Sequence, residues 1–460
     1  MKNYEEVAQD VFRRRDEYQK KMAKRRKIVK KAVVTFSCFC VVAAGGIFAW
    51  QNGLVSSMET KSGLSGIDNI QAKNLMKDVK TKTVSGKEAD EKFEEACLDF
   101  SLELFRKSLE DSEKKNLLIS PLSVQLALAM TANGADGETK SQMEDVLAKG
   151  MTIEELNKYL YAYRECKDKS QLKIANSIWF RDDEQKIQVE ESFLETNASY
   201  YDAGIFEAAF DEQTVADINQ WISKNTDGMI ENMLEELDEN SVMCLINALA
   251  FEGEWAEVYN TDQIFDGIFT TQEGEEQKVS MMSSSENYYL ENENSTGFIK
   301  NYKDGKYSFV ALLPKEGMSL EEYVAGLDSK TLQTTLDNVQ NKMVFANLPK
   351  FSYEYSVSME KILKTMGMEA AFDTKEADFS KLGTSNEGNL YIGEVLHKTF
   401  ITVDELGTKA GAATIVEIYT EGAALEEPKI VHLDRPFFYM ILDNETGLPV
   451  FMGTVTDLAE

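Results

Sequence analysis

The sequence predicts an α+β fold preceded by one membrane-spanning helix, and three observations carry that prediction. Beyond residue 90, apolar residues recur first at helical spacing and later in strand-like runs. That order suits segregated helices and sheets rather than alternating βαβ units. An uncharged, mostly apolar stretch, residues 32–50, stands between a basic leader and the rest of the chain. Finally, residues 406–427 contain no proline and alternate at strand spacing, although their first half is Ala and Gly.

The leader, residues 1–31, holds 12 Lys/Arg against 5 Asp/Glu, so residues 32–460 hold 37 basic and 74 acidic side chains. A surface that acidic stays soluble and repels nucleic acid, which excludes a DNA-binding role. Residues 32–50, at about 1.5 Å per residue, are just long enough to cross a bilayer core. Lys24, Arg25, Arg26, Lys27, Lys30 and Lys31 crowd the N-terminal side, which keeps the leader cytoplasmic and places residues 51–460 outside. The competing reading is a secretory signal cleaved near Ala43, Ala44 and Gly45, but the leader is long for one. Residues 51–90, rich in Ser, Gly, Lys and Thr, read as a flexible tether. Residues 91–460 form the folded domain, and their composition is ordinary for a globular protein with a sizeable core.

Within that domain Phe93, Cys97, Phe100, Leu104 and Phe105 mark a first helix. Pro121-Leu122-Ser123 opens an apolar helix that ends near Asn133-Gly134. Residues 217–224 form an amphipathic helix closed by Asp227-Gly228. Strands follow at 242–251, 309–313, 343–348, 437–442 and 450–452, the last two flanking a turn at 444–447. Cys97, Cys166 and Cys244 are the cysteines outside the apolar span, which holds Cys38 and Cys40. They show no disulfide or metal spacing, and Cys244 reads as a buried free thiol.

The segment 405–419 is the most informative. One of its faces reads Thr408, Ala410, Ala412, Thr414, Val416, Ile418, and the other Lys409, Gly411, Ala413, Ile415, Glu417, Tyr419. The first is small or apolar throughout, and the second carries the charges. That suits a strand with one covered and one wet face, yet Ala and Gly are poor strand formers. A loop in solvent that later enters a sheet through a narrow gap satisfies both facts.

Glu405-Leu406-Gly407-Thr408-Lys409-Ala410-Gly411-Ala412-Ala413-Thr414 resembles the reactive-loop hinge of the serpins, a family of serine and cysteine protease inhibitors. The tail Leu433-Asp434-Arg435-Pro436-Phe437 through Pro449-Val450-Phe451-Met452-Gly453 is similar to the family's C-terminal signature. Asn116-Leu117-Leu118-Ile119-Ser120-Pro121-Leu122-Ser123 resembles the start of its second helix. Asn247-Ala248-Leu249-Ala250-Phe251-Glu252-Gly253-Glu254-Trp255 resembles its central strand and breach. His397-Lys398-Thr399-Phe400 stands where the family has its shutter histidine. These matches cover residues 90–460.

The resemblance implies a serpin fold: a large central mixed sheet, further sheets, surrounding helices and an exposed reactive loop. It assigns Glu405, Gly407, Thr408, Ala410, Gly411, Ala412 and Ala413 to the hinge. Ser120, Ser123, Asn247 and His397 fall in the shutter and Trp255 in the breach. Lys409 departs from the Glu that many inhibitors carry, but it falls on the wet face. Counting from the hinge glycine puts the reactive bond at Glu421–Gly422, whereas counting back from Pro436 as in shorter-loop members puts it near Leu425. Glu421 suits a glutamate-specific protease; Thr420, Ala423 and Ala424 suit elastase-like pockets.

No enzymatic motif competes. His397 and His432 are the two histidines, neither near a nucleophile, and Gly-x-Ser-x-Gly, phosphate-loop and His-Glu-x-x-His patterns are missing from the chain. The expectation is a non-enzymatic, membrane-tethered, monomeric suicide inhibitor of extracellular serine proteases. It needs no cofactor or metal and forms a covalent complex with its target. A non-inhibitory serpin acting as a binding or chaperone-like module is the alternative. The basic leader, the scarcity of disulfide candidates and the single anchor point to a bacterial cell surface.

Overall fold

The structure, a computed structural model, describes residues 70–112, 116–166, 171–182, 187–230, 233–237, 241–386, 388–408 and 427–458. All lie in one compact unit, residues 68–460. The leader, the apolar span 32–50 and the start of the tether fall outside the described residues. Among the described residues no helix is long and apolar enough to cross a membrane.

Strand β1 (Lys73–Asn74) precedes helix α1 (Glu91–Asp111), β2 (Leu118–Ile119), α2 (Pro121–Ala132), α3 (Gly137–Ala148) and α4 (Ile153–Cys166). Next come β3 (Leu172–Arg181), β4 (Ile187–Val189), α5 (Glu191–Tyr200), β5 (Gly204–Ala208) and α6 (Glu212–Asn225). A strand-rich half begins with β6 (Met243–Phe251), β7 (Gly253–Glu254), β8 (Ile264–Thr270), β9 (Glu276–Glu291), β10 (Ser295–Asn301) and β11 (Tyr307–Pro314). Helices α7 (Leu320–Ala325) and α8 (Ser329–Asp337) lead to β12 (Gln340–Pro349), β13 (Phe351–Ser358), α9 (Glu360–Thr365) and β14 (Gly383–Ser385). The chain closes with β15 (Glu394–Val403), β16 (Gly407–Thr408), β17 (Lys429–His432), β18 (Phe437–Asp443) and β19 (Pro449–Val455). Helices early and strands late is the order the periodicity predicts.

The strands make two large sheets. The first runs β1-β5-β3-β6-β15-β16-β7, with β13 on the other edge of β15. The second runs β17-β12-β9-β10-β11-β18-β19-β2, with β8 also on β9. Helix α2 is buried at every position, as its apolar circumference requires, and it packs behind β6 and β19. Pro121 at its first turn and the Ser120 hydroxyl, which accepts from Ser123 N–H, fix where it starts. Helix α6 begins one turn earlier than residue 217, because Asp211 and Thr214 form a capping box.

One expectation needs correction. Residues 70–90 are not a free tether, because they lie along the domain. Lys73 and Asn74 pair with Glu207 and Phe206 of β5. Ala72 N–H donates to Asp217 Oδ2, Leu75 N–H to the Ile205 carbonyl, Lys82 N–H to Ser199 Oγ and Lys87 N–H to the Lys158 carbonyl. These are backbone donors, and a two-residue strand leaves no periodicity to read.

The first sheet is covered on both faces at its centre, where all nine residues of β6 are buried. Met243, Leu245, Leu249 and Phe251 enter the main core, while Cys244, Ile246, Ala248 and Ala250 face a second core under α6 with Trp221 and Ile222.

Candidate functional site

The site is the seam between β6 and β15. These strands pair in parallel over six positions, from Glu394↔Cys244 to Thr399↔Leu249. Beyond Thr399 they part, and β16 occupies the opening: Thr408 faces Val403 on one side and Gly253 on the other, and Gly407 faces Glu254. The seam is closed below and already entered above.

A buried polar cluster holds the closed part. Ser120 N–H donates to His397 Nε2 at 3.1 Å, so the ring proton sits on Nδ1 and is given to Asn247 Oδ1 at 2.5 Å. Asn247 Nδ2 donates in turn to Ser123 Oγ at 2.6 Å and to Asn176 Oδ1 at 2.7 Å. Thr399 Oγ1 donates to the Leu118 carbonyl at 2.8 Å. Full burial pushes the His397 pKa down to about 3, so the ring is neutral and joins the cluster as one donor and one acceptor. Each group is satisfied while the seam is closed and costly if left unpaired.

A second constellation holds the open end. Asp404 folds the chain back: its Oδ1 accepts from Leu406 and Gly407 N–H, and its own N–H donates to the Gly407 carbonyl. Three successive carbonyls are then clamped. Trp255 Nε1–H donates to Asp404 at 2.9 Å, Tyr259 N–H to Glu405 at 3.0 Å and Trp255 N–H to Leu406 at 2.9 Å. Trp255 is buried and stacks on Tyr302, ring centroids 4.6 Å apart. The Tyr302 hydroxyl, kept protonated by burial, lies 2.6 Å from Thr408 Oγ1. Glu405 pairs with Lys350 at 2.5 Å, which holds its carboxyl below the usual range. Gly407 is required by close approach, since a Cβ there would lie 2.0 Å from the Gly253 carbonyl oxygen.

The family model described as serpin (serine protease inhibitor) matches residues 95–458. The chain belongs to the serpin family. It is 30% identical to the plasma serine protease inhibitor of Bos taurus over 369 residues, 78% of this chain and 89% of that protein. A serpin-like protein of Thermococcus kodakarensis is likewise 30% identical over 371 residues, 78% of this chain and 84% of its own length. Among solved structures, the thermophilic serpin tengpin in its native state superimposes with a TM-score of 0.81 at 50% identity, over 85% of this chain and 100% of that one. The same protein in its latent state gives 0.72. Thyroxine-binding globulin in complex with thyroxine is 26% identical, with a TM-score of 0.70, over 80% of this chain and 100% of that one. The family comprises mainly protease inhibitors rather than enzymes, with non-inhibitory members such as that globulin.

In this serpin Ser120, Ser123, Asn247 and His397 come together from separate segments of the chain, and Trp255 binds the Asp404 and Leu406 carbonyls at the open end, where Glu405, Gly407 and Thr408 are held by Lys350, β7 and Tyr302. Ala410, Gly411, Ala412, Ala413 and the bond at Glu421–Gly422, with its alternative at Leu425, lie outside the described residues. Sequence reasoning missed Asn176, Tyr302, Tyr259, Lys350 and Asp404. Asn176 left a signal, a carboxamide in the middle of a mostly apolar ten-residue strand.

Proposed function

We propose that this serpin is an irreversible suicide-substrate inhibitor of extracellular serine proteases, glutamate-specific or elastase-like. It would be held at a bacterial cell surface by residues 32–50. The observation that carries the reading is register. Val403 and Gly253, which flank Thr408, differ by the same offset as Thr399 and Leu249, which pair directly below. A hinge that continued downward as an antiparallel strand would meet no slip between its two neighbours. Ala410 would pass between Ile401 and Phe251, Ala412 between Thr399 and Leu249, and Thr414 between His397 and Asn247.

The chemistry follows from that path. A protease that attacks the loop forms an acyl-enzyme through its own serine. The freed hinge then enters the seam, breaks the six β6–β15 pairs and forms two antiparallel rows in their place. The acyl-linked protease is carried along before water can release it. Small side chains at 410 and 412 pass without overpacking, and Lys409 would emerge beside Glu252 on the outer face. The serpin supplies no catalytic group and needs no cofactor.

The test mixes the full-length protein with a glutamate-specific protease, an elastase and a trypsin-like control. A band stable to denaturant, at the summed mass of both proteins, is the expected result. A released peptide starting at Gly422 would assign Glu421 as the bait. Cleavage without such a band, and without a gain in thermal stability of the cleaved form, would establish the non-inhibitory alternative. The anchor has its own test: the chain should sediment with membranes and become soluble when 32–50 are deleted.

A further inference from the structure

One buried ion pair has no part in that path. Lys300, on β10, is 2% exposed, and its Nζ lies 2.8 Å from Glu286 Oε1 on β9. The Glu286 oxygen also accepts from Ser284 Oγ at 2.7 Å. A buried pair of this kind is weak evidence for stability, because desolvating both ions offsets their attraction. Its position is more informative. The ammonium stands 4.4 Å from the Tyr259 ring centroid and 5.5 Å from that of Trp255. Those two residues donate all three hydrogen bonds to the Asp404, Glu405 and Leu406 carbonyls.

We infer that Lys300 is a positioning residue for the hinge, a buried cation that fixes Tyr259 and Trp255 by their ring faces and so restrains the loop until a protease cuts it. The inference rests on the proposed insertion mechanism. A cation against an aromatic face is attracted by the ring quadrupole, and most strongly when water is excluded. Drawing density from the indole also makes Nε1–H a better donor to the Asp404 carbonyl. The strand carrying Lys300 is itself stitched to the clamp. Ala256 N–H donates to the Asn301 carbonyl at 3.0 Å and Lys303 N–H to that of Glu254 at 2.8 Å. Cation, rings and hinge carbonyls therefore form one contiguous unit.

Two variants of the full-length protein separate charge from packing. Lys300→Met/Glu286→Met removes the cation, keeps the volume and leaves no orphan carboxylate; Lys300→Arg keeps the cation. The readout is the rate at which uncut, monomeric protein loses protease trapping while gaining resistance to unfolding, which reports insertion without a protease. The double variant should insert about tenfold faster, the factor that a desolvated cation–aromatic contact carries. Lys300→Arg should stay within about twofold of the parent, a small fraction of that factor. A purely structural role has the opposite sign, since replacing a buried ion pair by apolar groups leaves the native state equally or more stable. Unchanged or slower insertion in the double variant overturns the inference, as does Lys300→Arg inserting as fast as the double variant. A parent protein that forms no covalent band with any protease removes the insertion reading, and the inference with it.

Discussion

Thr408→Arg is the most direct challenge to the insertion path. Thr408 is 1% exposed, with its Oγ1 2.6 Å from the Tyr302 hydroxyl and its backbone between β15 and β7. An Arg there would bring a guanidinium into a buried space beside the Tyr302 hydroxyl, away from water. An uncompensated buried charge costs about 3–5 kcal/mol, and the Tyr302 hydroxyl would lose its partner at about 1–3 kcal/mol more. The uncut protein escapes most of this cost by leaving 407–408 in solvent. The inserted state cannot. Trapping is a race between insertion and deacylation, and each 1.4 kcal/mol of barrier is about tenfold in rate. A barrier raised by even part of this cost diverts most encounters into turnover. The assay titrates a fixed amount of active protease with the variant and counts inhibitor molecules consumed per protease trapped. That ratio should rise at least about tenfold, with intact loop cleavage and a correspondingly weaker covalent band. Lys409→Glu, on the opposite face, should leave it unchanged. Normal trapping by Thr408→Arg would refute insertion at this point.

Four further outcomes follow from the same geometry. His397 has its folded pKa depressed to about 3, so the unfolded chain binds the proton first; stability is complete above about pH 6.5 and declines as pH falls toward 3. Urea unfolding at pH 4 should show a loss of about 3 kcal/mol from this group, and His397→Gln should flatten that slope. Asn176→Ala deprives Asn247 Nδ2 of one of its two acceptors and should cost about 1 kcal/mol in urea unfolding, with no effect on loop cleavage. A chain starting at residue 91 loses at least four backbone hydrogen bonds to the domain, besides the β1–β5 pairing, and should unfold with a loss of at least roughly 2–4 kcal/mol, where a free tether would give none. Thr414→Val should leave the uncut protein unchanged but lower the stability of the cleaved form by about 1–3 kcal/mol, because His397 and Asn247 would then part without a hydroxyl between them.

What was legible in the sequence divides along a physical line. Residues that would satisfy two sets of partners in turn on the proposed insertion path look misplaced for either one. Asn247 is a carboxamide inside an apolar strand, His397 a titratable ring in a buried one, and 410–413 a run of Ala and Gly in a segment whose sequence alternates at strand spacing. Each departs from what its local periodicity calls for. The 410–413 run stands out by its own composition and spacing, whereas Asn247 and His397 are picked out by the resemblance to the serpin shutter, since a single polar residue in a buried strand otherwise reads as an ordinary core position. Asn176 departs in the same way, and its strand neighbours offered no second feature to lift it above the background. Residues with a single, permanent set of partners leave no such trace. Tyr302, Tyr259 and Lys300 carry no local mark in the sequence, and the Lys350–Glu405 pair joins groups 55 residues apart that only the fold brings together. Residues 70–90 were misread for a related reason, since backbone hydrogen bonds to β5 impose no side-chain pattern.

The same distinction bears on how the hinge is held. On the proposed path the polar cluster around His397 would have to come apart for the loop to enter, so its hydrogen bonds would set the resistance of the closed seam. The carbonyl clamp at 404–406 need not come apart on the proposed path, because insertion would proceed from Thr408 downward and leave the Asp404 turn in place. Restraint by the clamp therefore acts on the entry angle of the chain rather than on the number of bonds broken. A cation fixed beneath two rings is suited to setting that angle. Its attraction is modest, but it comes from Lys300, held by Glu286 and by the strand beneath. Weakening the cluster should lower the barrier and the stability of the closed sheet together. Weakening the clamp should lower the barrier alone, and that difference is what separates a lock in the sheet from a guide at its edge.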